Sequence, residues 1–354
     1  MNRRLRVGII GCGAGRLHAA CYHQLPNVEI VALSGLESDR CQQIAAQFNI
    51  PERYGDYHDL LRHADVEAVS IVLPNWLHAP ATIAALQSGR HVLVEKPLAC
   101  TVAEGEAMVQ AAAEADSKLM ICFNYRFRGD SQAVKQYVDS GGLGHIYYAK
   151  ASWLRQAGIP GGRSWFTNRE KSGGGPLIDL GVHILDLTLY FMGHPRPVAV
   201  TGATYAEFGP RGKGSKGDIR FHAEEDRYDV EDLALAFIRF DTGATLSLET
   251  SWASFTSHED DYSIHLFGSE GGAELNVPCY SQVDTVRFFA EINGSFITIK
   301  PEYAERRGHL EAIKAFVQAI IDDTSVPVPG EQGLVVLRLV DAIYRSAESG
   351  HEIR

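Results

Sequence analysis

A chain of 354 residues, 45% of them hydrophobic, is long enough for two domains that each bury a core. Its formal net charge of -11 argues against nucleic-acid and anionic-membrane partners, which need a basic surface, and no stretch is apolar enough for long enough to span a bilayer. The six cysteines, Cys12, Cys21, Cys41, Cys100, Cys122 and Cys279, show neither a CxxC pair nor zinc-site spacing. They read as small buried or surface thiols of a reducing compartment, with no metal site expected.

The chain opens on Arg3-Arg4-Leu5-Arg6, and the short apolar run that follows leads straight into a glycine turn. That run is too short for a signal peptide, so residues 6–10 read as a first strand and the protein as cytoplasmic. Short apolar runs then alternate with helical patterns: a helix at 16–24, a strand at 29–33, a helix at 39–48, and further segments at 58–63, 68–73, 79–88, 91–94, 102–115 and 118–123. Such alternation implies right-handed crossovers and a parallel sheet covered on both faces. After Asn124 the pattern changes. A helix at 129–139 precedes strand-like segments at 147–154, 198–205, 233–240, 245–251, 263–267 and 286–289, many of them alternating apolar with polar residues as in an antiparallel sheet. Helices are expected at 176–191, 310–321 and 332–347, and the glycine-rich stretch 209–217 reads as a mobile loop. The expected fold class is an α/β Rossmann domain at 1–123 plus an α+β C-terminal domain at 124–354 built on a large, mainly antiparallel sheet.

Glycines after a first strand let the backbone turn tightly and approach a pyrophosphate, which the next helix N-terminus then meets with its amides. Gly11 and Gly13 fit the G-x-G-x-x-G spacing, but Arg16 occupies the third position and Gly15 comes one residue early. The turn Gly11, Gly13, Ala14, Gly15 is a dinucleotide seat or a plain strand-to-helix connection, and the strand-helix series that it opens favours the first. Where an NAD site usually carries an acidic residue on the ribose, the second strand ends in Ser34-Gly35-Leu36. Nothing there repels a 2′-phosphate, and Ser34, Ser38 or Arg40 could receive one. NAD and NADP both stay open.

Leu73-Pro74-Asn75 with His78 follows the apolar strand at 68–73, at the edge where parallel sheets bind ligands. Asn75 and His78 could contact ribose or pyrophosphate, or Asn75 could simply cap a helix. Glu95-Lys96-Pro97 ends the run 91–94, and Asn124-Tyr125-Arg126 follows the strand at 118–123, where these residues could line a nicotinamide pocket and Arg126 could bind substrate. Asp179 and His183, four residues apart behind Gly173-Gly174-Gly175-Pro176, share one helical face, with Asp186 three residues further on. Histidine suits the task of removing a hydroxyl proton, Asp179 could hold the ring or a substrate hydroxyl, and Lys96 would stabilise the developing alkoxide. A capping network and a surface lysine are the bland alternatives. Arg163 and Trp165, in the loop before this helix, could bind substrate, or Trp165 could anchor the core.

Taken together, Gly8-Ile9-Ile10-Gly11-Cys12-Gly13, Pro74-Asn75 with His78, Glu95-Lys96-Pro97, Asn124-Tyr125-Arg126, Ser172-Gly173-Gly174-Gly175 and Asp179-Leu180-Gly181-Val182-His183 resemble the Gfo/Idh/MocA oxidoreductases from end to end. The resemblance implies an NAD(P)-binding Rossmann domain and a C-terminal domain whose open sheet mediates homodimers or homotetramers. It implies that Lys96, Asp179 and His183 face a sugar, sugar derivative or cyclic polyol, while Glu95, Asn75, His78 and Asn124 seat the cofactor. Two competing functions are a sensor that keeps the nucleotide site without catalysis, and a redox-neutral enzyme with bound nicotinamide.

Overall fold

The computed structural model describes residues 4–161, 164–216 and 227–354. The chain divides into two compact units, 1–124 with 307–337, and 125–306 with 338–354. The sequence reading placed all of 124–354 in the second. Residues 307–337 belong instead with the first unit, because Ile121 donates its N–H to the Val328 carbonyl at 3.0 Å and the apolar face Ala312, Ile313, Phe316, Val317 is buried there.

The first unit holds β1 (Leu5–Ile10), α1 (Gly15–Tyr22), β2 (Val28–Ser34), α2 (Ser38–Phe48), β3 (Glu52–Tyr54), α3 (Tyr57–His63), β4 (Ala68–Ile71), α4 (His78–Gln87), β5 (His91–Glu95), α5 (Val102–Glu114) and β6 (Leu119–Cys122). Its sheet is parallel throughout, in the order β3-β2-β1-β4-β5-β6, the doubly wound Rossmann order. Val7, Ile9, Ala68, Val69, Val92 and Leu93 are fully buried, which is why these strands read as continuous apolar runs. The order reverses between β1 and β4, so Ile10 and Ile71 pair side by side at the carboxyl edge, with β5 next in line. The helices start where local chemistry lets them: Thr101 and Glu104 form a capping box on α5.

The second unit contains α6 (Gly129–Asp139), β7 (Ile146–Arg155), α7 (Arg169–Ser172), α8 (Val182–Phe191) and β8 (Pro197–Tyr205). It continues with β9 (Leu233–Phe240), β10 (Thr245–Ser251), β11 (Asp260–Gly268), β12 (Gly271–Pro278), β13 (Val286–Ile292) and β14 (Ser295–Ile299). The eight strands run β14-β13-β12-β11-β7-β10-β9-β8, antiparallel except where β7 and β10 lie parallel. In β9 the alternation is complete: Ala234, Ala236, Ile238 and Phe240 face inward, while Leu235 and Phe237 are exposed. Trp153, Trp252, Tyr262 and Phe191 are fully buried in this unit. Helix α9 (Gly308–Ile321) belongs to the first unit, and α10 (Gly330–Ser349) begins there and ends in the second.

Two expectations are corrected. The stretch 209–217 is pinned as far as residue 216: Asp232 Oδ2 accepts the Phe208 and Gly209 amides at 2.6 and 3.1 Å, and the Gly214 carbonyl accepts from Gly158 and Ile159 at 2.8 and 3.0 Å. Cys12 and Cys41 are not thiols but a disulfide, with Cα atoms 5.7 Å apart, so two of the six cysteines drop out of the argument for a reducing compartment. Their partnership is invisible in the sequence because the glycine turn and the first turn of α2 meet only once β1 and β2 have paired. Strands β3, β12 and β14 were also missed, being short or glycine-bearing.

Candidate active site

In the first unit the glycine turn is dictated atom by atom. Gly11 has φ +113°, and a Cβ there would lie 2.2 Å from the Val72 carbonyl oxygen, so only glycine fits. At Gly13 a Cβ would meet nothing within 4 Å, which leaves the backbone open to a close-approaching group. Gly15 starts α1, and its Cβ would press on Ile9 at 3.2 Å, so it takes the helix-to-strand packing role of a third glycine one residue early. Such a cradle, followed by Ala14 and the α1 N-terminus, suits a pyrophosphate. The hydroxyl-bearing Ser34 is buried, its carbonyl accepting the Gly11 amide at 2.8 Å, while Arg40 reaches the Gly13 carbonyl at 3.4 Å from the exposed side. A Cβ at Gly35 would stand 2.5 Å from Cys12 Sγ and 2.9 Å from Cys41 Sγ. The disulfide therefore fills the space that a ribose-binding carboxylate needs.

Leu73 and Asn75 follow β4, and Asn75 is buried at the start of a short 3-10 turn, Asn75–Leu77. His78 is buried as well, with Nδ1 2.7 Å from the Pro97 carbonyl and Nε2 2.8 Å from the Leu73 carbonyl. Both ring nitrogens face backbone carbonyls, and the neutral ring donates its single N–H to one of them. Burial pushes its pKa down. At the end of β5, Glu95 Oε1 lies 2.9 Å from His18 Nε2 and 3.6 Å from His309 Nε2, and Glu95 Oε2 accepts the backbone N–H of Lys96 at 3.3 Å. Burial alone would raise the Glu95 pKa, but the two imidazoles outweigh it and hold the carboxyl well below its ordinary value. His18 is anchored in turn by Ser70 Oγ at 3.1 Å, which Tyr22 meets at 2.8 Å. Cys122 joins this group from β6, its thiol pushed well up by burial and the neighbouring carboxylate. Sequence reasoning missed His18 and His309, although a histidine in the middle of the first Rossmann helix was a signal. Asn124, also buried, closes the first unit, where a Cβ at Gly308 would lie 2.4 Å from its carbonyl oxygen.

In the second unit Asp179 sits in a π-helical turn, Leu177–Gly181, that runs into α8 with His183. The buried carboxylate of Glu231 accepts the Gly175 and Leu177 amides at 3.0 and 3.1 Å and the Tyr344 hydroxyl at 2.9 Å. Gly174 and Gly175 are required there, since a Cβ would fall 1.9 Å from Tyr344 Oη and 2.1 Å from the Glu231 carbonyl oxygen. Asp179 Oδ2 accepts from Trp252 Nε1 at 2.9 Å, and the His183 ring meets Tyr125 edge-on at 4.7 Å and Trp153 at 5.9 Å. Because β7 and β10 are parallel neighbours with Ser251 opposite Leu154, Arg155 and Trp252 emerge at the same strand ends. Arg155 bonds Asp260 at 2.9 Å and Tyr280 at 2.7 Å, extending this polar rim.

Arg126 is paired inside the second unit. Its guanidinium binds Asp186 through two bonds of 2.8 and 2.5 Å, both groups nearly fully buried, with the Tyr190 ring 4.9 Å away. This is a buried ion pair. Trp165 is half-buried, stacked on Phe166 at 3.9 Å, and Arg163 lies outside the described residues.

Residues 5–123 match the family model described as oxidoreductase family, NAD-binding Rossmann fold, and residues 131–274 match the GFO/IDH/MocA C-terminal domain. D-glucoside 3-dehydrogenase of Escherichia coli (strain K12) is 33% identical over 99% of this chain and 97% of its own length. Levoglucosan dehydrogenase of Pseudarthrobacter phenanthrenivorans is 28% identical over 98% and 96%. Aldose-aldose oxidoreductase from Caulobacter crescentus, solved in complex with glycerol, superposes with a TM-score of 0.83 at 26% identity, covering 99% of this chain and all of that one. The chain therefore belongs to the GFO/IDH/MocA oxidoreductase family, with an NAD-binding Rossmann domain as its first unit.

Proposed function

We propose that this oxidoreductase moves a hydride between nicotinamide and the CH–OH carbon of a pyranoside, sugar derivative or cyclic polyol, with Lys96, Asp179 and His183 as its catalytic residues. The observation that carries the reading is the Asp179–His183 pair, held by Trp252 and an aromatic wall in a chain whose first unit binds NAD. When bound, the nicotinamide ring accepts or returns the hydride. His183 takes the hydroxyl proton at a ring nitrogen, Asp179 holds a substrate hydroxyl, and the Lys96 ammonium stabilises charge on the carbinol oxygen. Gly11, Gly13, Ala14 and Gly15 would hold the cofactor's phosphates, with Leu73, Asn75, His78, Glu95 and Asn124 shaping the rest of the seat. At the adenosine end, Ser34 and Arg40 stand beside a Gly35 that bears no carboxylate, so NADP is accepted as well as NAD.

Trp165, Arg163 and the aromatic group around His183 offer the flat faces and donors that sugars use. The 33% identity to a D-glucoside 3-dehydrogenase makes D-glucosides the first substrates to try. The outward face of the large sheet, bearing Leu235, Phe237, Phe267, Phe289 and Phe296, supports a homodimer or homotetramer formed there. A panel of methyl D-glucosides, levoglucosan and myo-inositol, run with NAD and NADP and read by nicotinamide absorbance, tests the function. Reduced cofactor from at least one of them is expected. Cofactor binding without turnover across the panel would favour a sensor, and turnover without net reduced cofactor a redox-neutral enzyme.

A further inference from the structure

Lys96 is fixed through backbone bonds on both sides. Its own N–H is held by Glu95 Oε2 at 3.3 Å, and the carbonyl of Pro97 lies 2.7 Å from His78 Nδ1. The other Glu95 oxygen, Oε1, is shared by His18 at 2.9 Å and His309 at 3.6 Å, whose rings meet edge-on at 6.2 Å. The half-buried Glu95 carboxylate therefore has a hydrogen bond from His18, one from the Lys96 amide and a longer charge contact from His309, and losing one of the three leaves it freer to turn.

His309 lies outside every motif that carries the family resemblance, more than 200 residues from Glu95, and stands in the first turn of α9. A resident cation is not the better reading of His18, Glu95 and Cys122: ligands of a tetrahedral zinc stand about 3.3 Å apart, and the His18–Glu95 contact of 2.9 Å is a direct hydrogen bond. We propose that His309, with His18, is a positioning residue: by holding Glu95 Oε1 it fixes the carboxylate whose other oxygen sets the backbone, and hence the ammonium, of Lys96. This deepens the function proposed above and rests on it for the role of Lys96, though the geometry it asserts stands by itself.

The test is His309→Ala beside His309→Gln, which restores a nitrogen donor, in the full-length protein. Lysines are labelled by reductive ¹³C-methylation and the Lys96 resonance is assigned by its absence in Lys96→Arg. In H309A that resonance shifts or broadens, and kcat on the sugar panel falls by up to about a hundredfold, as small misplacements of a reacting group do. H309Q reverses both changes. A Lys96 resonance that stays put in H309A, or a change that H309Q leaves in place, overturns the proposal. If the wild-type protein turns over no sugar at all, the functional reading fails while the Lys96 resonance still decides this one.

Discussion

Trp252 and Glu231 show how two side chains far from the motifs set the geometry around Asp179 in the proposed site. One fixes the Asp179 carboxylate, and the other receives the amides of the turn that presents it. The Lys96→Ala and His183→Ala variants are expected to lose at least about a hundredfold in kcat, the lower end of what general acid–base groups contribute. Their NAD affinity, measured by fluorescence titration, should change by less than about twofold, since a group acting on the transition state alone leaves cofactor binding intact. Unaltered turnover in both would remove these residues from the chemistry. Glu95 adds a pH signature. Its carboxyl titrates well below the ordinary 4.5, so the stability that it contributes is fully present above that value and is lost as pH falls through its lowered one. Thermal denaturation of wild type and Glu95→Gln should therefore differ most above pH 4.5, with the gap closing on acidification. A gap that widens in acid would contradict the assignment.

At the scale of elements, the nucleotide turn and α2 are joined by Cys12–Cys41 across the end of β2. Gly35 has no room for a side chain against the two sulfurs. Gly35→Asp, the change that would give this site a ribose carboxylate, is expected to lower the melting temperature in the wild-type background and to be tolerated in a Cys12→Ala/Cys41→Ala background. Equal melting losses in both would show that the sulfurs are not the obstacle. The strands of the first sheet were legible because a parallel sheet buried on both faces writes itself as apolar runs. The disulfide, the Arg126–Asp186 pair and the Glu95–His18–His309 group were not. Each joins residues from different elements: 29, 60, and more than 200 positions apart in turn, and only the folded chain brings them together.

For the whole molecule, the eight-stranded sheet leaves an apolar face exposed. Phe296 is 88% exposed, and Phe237, Phe267 and Phe289 each about two-fifths. Phe237→Asp combined with Phe267→Asp is expected to shift the protein to a monomer in light-scattering chromatography while its melting temperature changes little; an unchanged mass would place the contact elsewhere. A last consequence follows from where 307–337 lies. The nucleotide-binding unit borrows its final helical layer, and His309 with it, from chain made some 180 residues after Asn124. During synthesis that unit stays incomplete until residues 307–337 have left the ribosome, so the part made first waits on chain made much later.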